Sequence, residues 1–192
     1  NGKVVASGKS IDIPENSIII DLKGKHIYPS FIDPYTNFGV KEPKKAERNG
    51  RSAQYKPSRE GFYWNDHIKP EQNAIDDFKY DKKLAKELRN LGFGTVNTLQ
   101  MDGIARGSGV LVTLNDEEGD AKRILDDAFG QYFSFEKSVA SRQSYPTSLM
   151  GAMALLRQMH HDADWYSKGN IATKDRSLEA FLENKNKIAF FE

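Results

Sequence analysis

The chain has 192 residues, of which 38% are apolar and 29% charged, with a formal net charge of +1; this composition suits a folded globular protein rather than disorder, and the charge balance favours neither nucleic acid nor an acidic membrane surface as a partner. Cysteine is absent, which excludes disulfides, thiolate zinc sites and cysteine nucleophiles but leaves the compartment open. No apolar run approaches the roughly 20 residues needed to span a bilayer, and no signal peptide is visible.

The first thirty residues read as short strands and turns. Val4-Val5-Ala6 is apolar and β-branched and breaks at Ser7-Gly8-Lys9. Ile11 and Ile13 alternate with polar neighbours before Pro14-Glu15-Asn16, and residues 18–20 form a continuous apolar run. After a turn at Lys23-Gly24-Lys25, residues 25–32 predict another strand. Pro29 lacks an N–H for the ladder, so a bend or sheet edge is expected there. This strand leads into Asp33-Pro34-Tyr35-Thr36-Asn37.

Residues 38–69 are long, polar and irregular. Lys41, Lys44, Lys45, Arg48, Arg51, Lys56 and Arg59 stand against Glu42, Glu47 and Glu60, with Tyr55, Phe62, Tyr63 and Trp64 nearby. The stretch is open to two readings: a nucleic-acid patch, or a solvated insertion whose aromatic end docks on the core. Its mixed charge weakens counter-ion release and favours the second.

Spacing predicts a helix over 80–91, with Leu84, Leu88 and Leu91 on its buried face and Gly92 in the left-handed position that ends it. A strand over 93–99 follows. Strand, helix and strand in this order predict a βαβ unit and a parallel sheet. Gly103 to Gly109 lacks the Lys-Ser/Thr of a phosphate loop and runs into a strand over 110–114, so a tight turn with close backbone approach is expected. Residues 115–119 read as a polar turn. Residues 123–135 are ambiguous, with a strand-like aromatic end over 129–135. The longest helix is predicted over 147–166, burying Leu149, Ala152, Met153, Leu156, Met159 and Ala163. A shorter one follows over 177–184, with Leu178, Phe181 and Leu182 inward, and then a strand over 188–191.

The histidines are His26, His67, His160 and His161, and no two form a His-x-His pair. Adjacent His160 and His161 diverge by roughly 100° on a helix, so they read as surface or ordinary polar residues. His26 reads as a surface or edge residue. Asp66-His67 is the most suggestive pair, because a carboxylate can orient or charge an imidazole, although neighbours on an extended segment point to opposite faces. No nucleophile elbow, zinc helix or dinucleotide fingerprint is present.

Four stretches, in order along the chain, resemble the amidohydrolase superfamily in its imidazolonepropionase-like, metal-dependent branch. They are Gly2-Lys-Val-Val-Ala-Ser-Gly8 with Ile20-Asp-Leu-Lys-Gly-Lys-His-Ile-Tyr-Pro29; Asp66-His-Ile-Lys-Pro-Glu71; Leu91-Gly-Phe-Gly-Thr-Val96 with the following glycine-rich turn; and Tyr145-Pro-Thr-Ser-Leu-Met-Gly-Ala-Met-Ala-Leu-Leu-Arg157. The resemblance implies an α/β chain: residues 1–28 as strands of a small β-sandwich, and 29–192 as the N-terminal portion of a (β/α)8 TIM-like barrel with 38–69 inserted. A whole barrel takes roughly 250 residues, so the chain is expected to be part of a longer parent, whose remainder would be its partner.

In active relatives a His-x-His pair at the end of the first barrel strand holds zinc or another divalent metal, which activates water for attack on a non-peptide C–N bond. The matching positions here are Tyr35 and Asn37, neither a usual zinc ligand. A later family histidine is matched by Phe190-Phe191-Glu192, and Asp33 matches an acidic residue of the scaffold. The resemblance thus implies a degenerate site without metal or cofactor, with Asp33, Tyr35, Asn37 and His67 as pocket-lining candidates, a small-molecule ligand as a possible partner, and neither nucleic acid nor a membrane span. The alternatives are an active hydrolase completed beyond Glu192, drawing on Asp33 or His67, and a basic-loop binding module over 41–64.

Overall fold

A computed structural model of the chain describes residues 3–47, 50, 52–116, 119–169 and 173–192. Gly2 of the first resembling stretch, Arg48 and Arg51 of the basic loop, and Glu117-Glu118 of the polar turn lie outside the described residues. The elements are β1 (Phe31–Thr36), α1 (Ala74–Asp77), α2 (Lys82–Asn90), β2 (Phe93–Thr98), β3 (Gly109–Thr113), β4 (Ile124–Phe129), β5 (Gln131–Phe133), α3 (Leu149–Ser167), α4 (Arg176–Asn184) and β6 (Ala189–Phe191), with a 3-10 turn at Asp120–Lys122.

The chain is α/β, but its main sheet is mixed. β1 and β2 pair in parallel, β3 and β4 continue antiparallel in the order β1-β2-β3-β4, and β5 and β6 form a separate parallel pair. The βαβ unit predicted around residues 80–91 is therefore present, and an antiparallel meander follows it. Segment 104–113 joins the two sheets. Its second half runs antiparallel to β2, while in its first half Arg106 N–H donates to Tyr132 O (2.8 Å) and Ser134 N–H to Ile104 O (2.9 Å), antiparallel to β5. Along this shared neighbour β2 and β5 run in one sense, so the carboxyl ends of the parallel strands gather on one side.

Local chemistry explains most of these elements. Asp81, Ser148 and Asp175 cap α2, α3 and α4 with side-chain oxygens that accept first-turn N–H groups. Gly92 ends α2 at φ 97°, as expected of a left-handed glycine. Gly130, at φ 75°, divides the ambiguous stretch 123–135 into β4 and β5. Pro34 lies inside β1, and the β1–β2 register shifts between Asp33 and Thr36, where its missing N–H leaves a gap.

Two apolar clusters hold the elements. Phe38, Ala74, Ala85, Val96, Val110, Val112 and Leu114 pack between the sheet and α1–α2. Ile68, Ile104, Phe133, Leu155, Met159 and Phe181 join α3 and α4 to β5 and the 104–107 segment. The predicted helical stripes need correction. Leu84 and Leu91 are exposed and Ala85 is the fully buried residue of α2. In α3, Leu149 and Met153 face solvent, and Leu155 and Tyr166 take their places in the buried set.

The strands predicted in the first thirty residues are not formed. Residues 3–30 carry no ladder; their backbone bonds are the local turns Ser17 N–H to Pro14 O and Lys25 N–H to Leu22 O. Val4, Val5, Ile18 and Ile19 stand in solvent, because an apolar alternation makes a strand only where a second strand accepts it. The strand predicted over 25–32 begins instead at Phe31. Among the described residues no helix is long and apolar enough to cross a membrane.

Candidate functional site

The carboxyl end of β1 is closed by a polar cluster. Tyr35 accepts a hydrogen bond from Arg106 Nη1 and donates one to Glu192 Oε2 at 3.0 Å; Arg106 Nη1 also reaches Glu192 Oε2 at 2.7 Å. Arg106 is buried, and its Nε donates to Gly103 O at 2.9 Å, which fixes the guanidinium. Beneath it, Asn97 donates to Pro34 O at 2.9 Å and to the Tyr132 hydroxyl, and Tyr132 stacks on Phe190 with centroids 4.8 Å apart. β1, β2, β5 and β6, with the linking segment, each supply one part. Burial pushes the Tyr35 hydroxyl up to about 12 against the opposing pull of Arg106. Burial would also raise the Glu192 carboxyl, but the Tyr35 hydroxyl and the guanidinium outweigh it and hold it below the usual range.

Of the other sequence candidates on β1, Asp33 turns back on its own loop, accepting from Tyr35 N–H at 3.1 Å, and Asn37 is exposed. His67 lies apart from the cluster. It is 1% exposed; its Nδ1 accepts from Ser138 N–H at 3.1 Å, so Nε2 carries the proton and donates to Gln143 O at 2.9 Å. Burial lowers its pKa, keeping the ring neutral. Asp66 and His67 do not hydrogen-bond to each other; Asp66 accepts instead from Ser58 N–H and the Ser141 hydroxyl. Each of the two buried side chains anchors a different part of the 134–144 loop that follows β5.

A third group braces the same loop from below. Lys69 Nζ lies 2.5 Å from Asp102 Oδ2 and 2.6 Å from Ser138 Oγ, while Ser138 Oγ donates to the same carboxylate at 2.5 Å and Val139 N–H to Asp102 Oδ1 at 2.7 Å. Burial alone would raise Asp102, but these donors outweigh it and lower its pKa. Ser138 both donates and accepts in this buried network, so it is a brace rather than a poised nucleophile. The aromatic end of the 38–69 stretch docks on the core as the second reading of it required: Tyr63 is buried with its hydroxyl on Asp162 at 2.6 Å, and Trp64 stacks on Tyr145.

The glycine-rich turn behaves as expected. Gly103 and Gly107 hold φ 103° and 76°, and a Cβ on Gly107 would overlap the Gln72 carbonyl. This close approach sets Asp102 and Arg106, on one loop, into the two polar groups. Of the side chains in these groups, sequence reading named Tyr35 and His67 as candidates and did not name Arg106, Lys69 or Asp102. Their partners are remote in sequence, and the only local signal was the pair of positive-φ glycines around Arg106.

No family model matches the chain, and no curated protein is significantly similar to it. Among solved structures it is similar to an amidohydrolase from Thermotoga maritima MSB8, with a TM-score of 0.62 and 21% identity over 94% of this chain and 48% of that one. The chain thus spans about half the length of that protein. At this identity the likeness is one of fold: the chain has an amidohydrolase-like fold.

Proposed function

We propose that the chain is the N-terminal part of an amidohydrolase-like protein in which the metal site at the end of the first barrel strand has been replaced by a guanidinium-centred polar lock. On this reading residues 29–192 are barrel, with 38–69 as an insertion, and 1–28 are sandwich strands whose pairing partners come from elsewhere in the parent. The observation that carries it is Arg106, buried and hydrogen-bonded to Tyr35 at the position the resemblance assigns to a metal-binding histidine. A fixed positive charge in hydrogen-bond contact with a would-be ligand opposes a divalent cation. A phenol pushed up to about 12 is also a poor source of the phenolate a metal would need. The residues present therefore do not fit the metal of active relatives, and they supply no hydrolytic step through it.

Against the active-hydrolase alternative stands the engagement of both His67 ring nitrogens in backbone hydrogen bonds, with Asp33 accepting from Tyr35 N–H. What remains is a rigid, polar strand-end face of the kind that binds ligands in α/β proteins. Native mass spectrometry with elemental analysis, on protein purified without chelator and then offered zinc, tests the reading. Substoichiometric, readily lost metal is expected; one zinc retained per chain through buffer exchange overturns it.

A further inference from the structure

Separate from the polar lock, a cleft of about 570 Å³ opens between Lys45, Ala46, Gly50 and Ser52 on one side and the 137–144 loop on the other. That volume suits a metabolite-sized ligand. Its walls carry Lys45, Lys137 and Arg142 together with the serines Ser52, Ser141 and Ser144, and no carboxylate among the described residues lines it. In a chain whose net charge is only +1, this is a local concentration of positive charge, not a reflection of the whole.

The charges are also uncommitted. Lys45 has no hydrogen bond or ion pair among the described residues. Lys137 donates to Ser144 O at 3.1 Å and Arg142 to Gly50 O at 2.9 Å, both neutral carbonyls that leave the cationic charge uncompensated. Two acids are held behind the wall, and Glu47 and Glu136, sequence neighbours of lining residues, do not line it. Asp102 is paired with Lys69, and Asp66 is buried behind the Ser141 hydroxyl that donates to it. The cleft therefore shows cations outward, while its floor is held by His67, Ser138 and the Lys69–Asp102 pair. A guanidinium that forks onto two oxygens and two ammonium groups are the donors that recognise an oxyanion.

We infer that this cleft binds a small anionic molecule through a phosphate or carboxylate group. The inference gives chemistry to the ligand-binding part of the proposed function, and it stands or falls independently of whether β1 carries metal. Isothermal titration of the protein with pyrophosphate, inorganic phosphate and citrate, at low salt, tests it. Saturable binding of at least one probe at one site per chain is expected, weakening as salt rises. Pyrophosphate outcompeting citrate would assign a phosphate-bearing ligand, and the reverse a carboxylate.

Lys45→Gln is the cleaner variant because Lys45 holds no hydrogen bond or ion pair among the described residues, and Arg142→Gln is the second. Each is expected to weaken binding about tenfold with the melting temperature of Lys45→Gln unchanged, while Lys86→Gln on the exposed face of α2 leaves binding as it was. Failure of all three probes to saturate, or undiminished binding in the Lys45→Gln/Arg142→Gln protein, overturns the inference. Metal content measured on the same sample separates this outcome from failure of the metal-free reading.

Discussion

Lys69 and Asp102 meet 2.5 Å apart with side chains 8% and 1% exposed, so each charge depends on the other for what water would have supplied. Lys69→Met leaves a buried carboxylate with only Ser138 and one backbone N–H. A loss of about 3–5 kcal/mol is expected in urea unfolding, and Lys69→Met/Asp102→Leu should recover part of it. A double variant no more stable than the single would show that the bond network, and not the charge, is what matters. His67 gives the pH dependence. Its folded pKa is depressed below 6.5 by burial, so its contribution is present above that value and is lost as pH falls through the folded pKa. Wild-type stability should then fall below about pH 6.5 more steeply than that of His67→Gln, by at most about 1.4 kcal/mol per pH unit. Parallel acid limbs would refute this. At this scale the sequence reading had partial reach. Tyr35 and His67 stood out because residue type and neighbours marked them. Arg106 and Lys69 look like any surface cation until Glu192 and Asp102 are brought to them by the fold.

Helices were legible because their signals are local. Apolar spacing marked α2, α3 and α4, and Asp81, Ser148 and Asp175 cap them in the structure. Which face each helix buries was less legible. In α2 the small Ala85 lets the helix sit close to the sheet, leaving the larger Leu84 and Leu91 outside. Strands fared worst in residues 3–30, since β-propensity describes fit to a neighbouring strand and no neighbour is there. The glycine-rich turn is where local chemistry and packing coincide. Gly107→Ala must both adopt φ 76° and force its methyl against the Gln72 carbonyl, which accepts from Ser108 N–H. The backbone there cannot yield without breaking the bonds that tie the turn to residues 69–74. A severe loss of folded protein is expected by circular dichroism, against a far milder effect for Gly61→Ala, where φ is also positive but the space is open. Equal losses at the two positions would place the cost in conformation alone.

Across the molecule, order is uneven. Residues 31–192 contain both apolar clusters, while residues 3–30 lie outside them, exposed and without strand or helix. Brief trypsin treatment should cut after Lys9, Lys23 and Lys25 before any site in α2 or β2, and the trimmed protein should melt at the same temperature. Protection of these lysines equal to that of Lys86 would mean that the segment packs on the remainder in solution. The α/β class was readable from element order, because strand, helix and strand recur. The antiparallel β2–β3–β4 meander was not, because the direction of a strand depends on how the connecting turn folds back, and the β2–β3 turn is held by residues 67–72.

The same arrangement sets an order of assembly. Thr98 meets Val110 across a short connection, whereas Phe31 must find Phe93, and Tyr132 must find Phe190, across long intervening stretches. Loop closure is entropically cheapest for the meander, so β2, β3 and β4 can zip together early, while both parallel pairings come late and set the pace. The Tyr35–Arg106–Glu192 lock joins the two late-arriving strands to the linking segment between them. It is therefore among the last contacts made, and a nascent or stalled chain would display this strand-end face incomplete until β6 has docked.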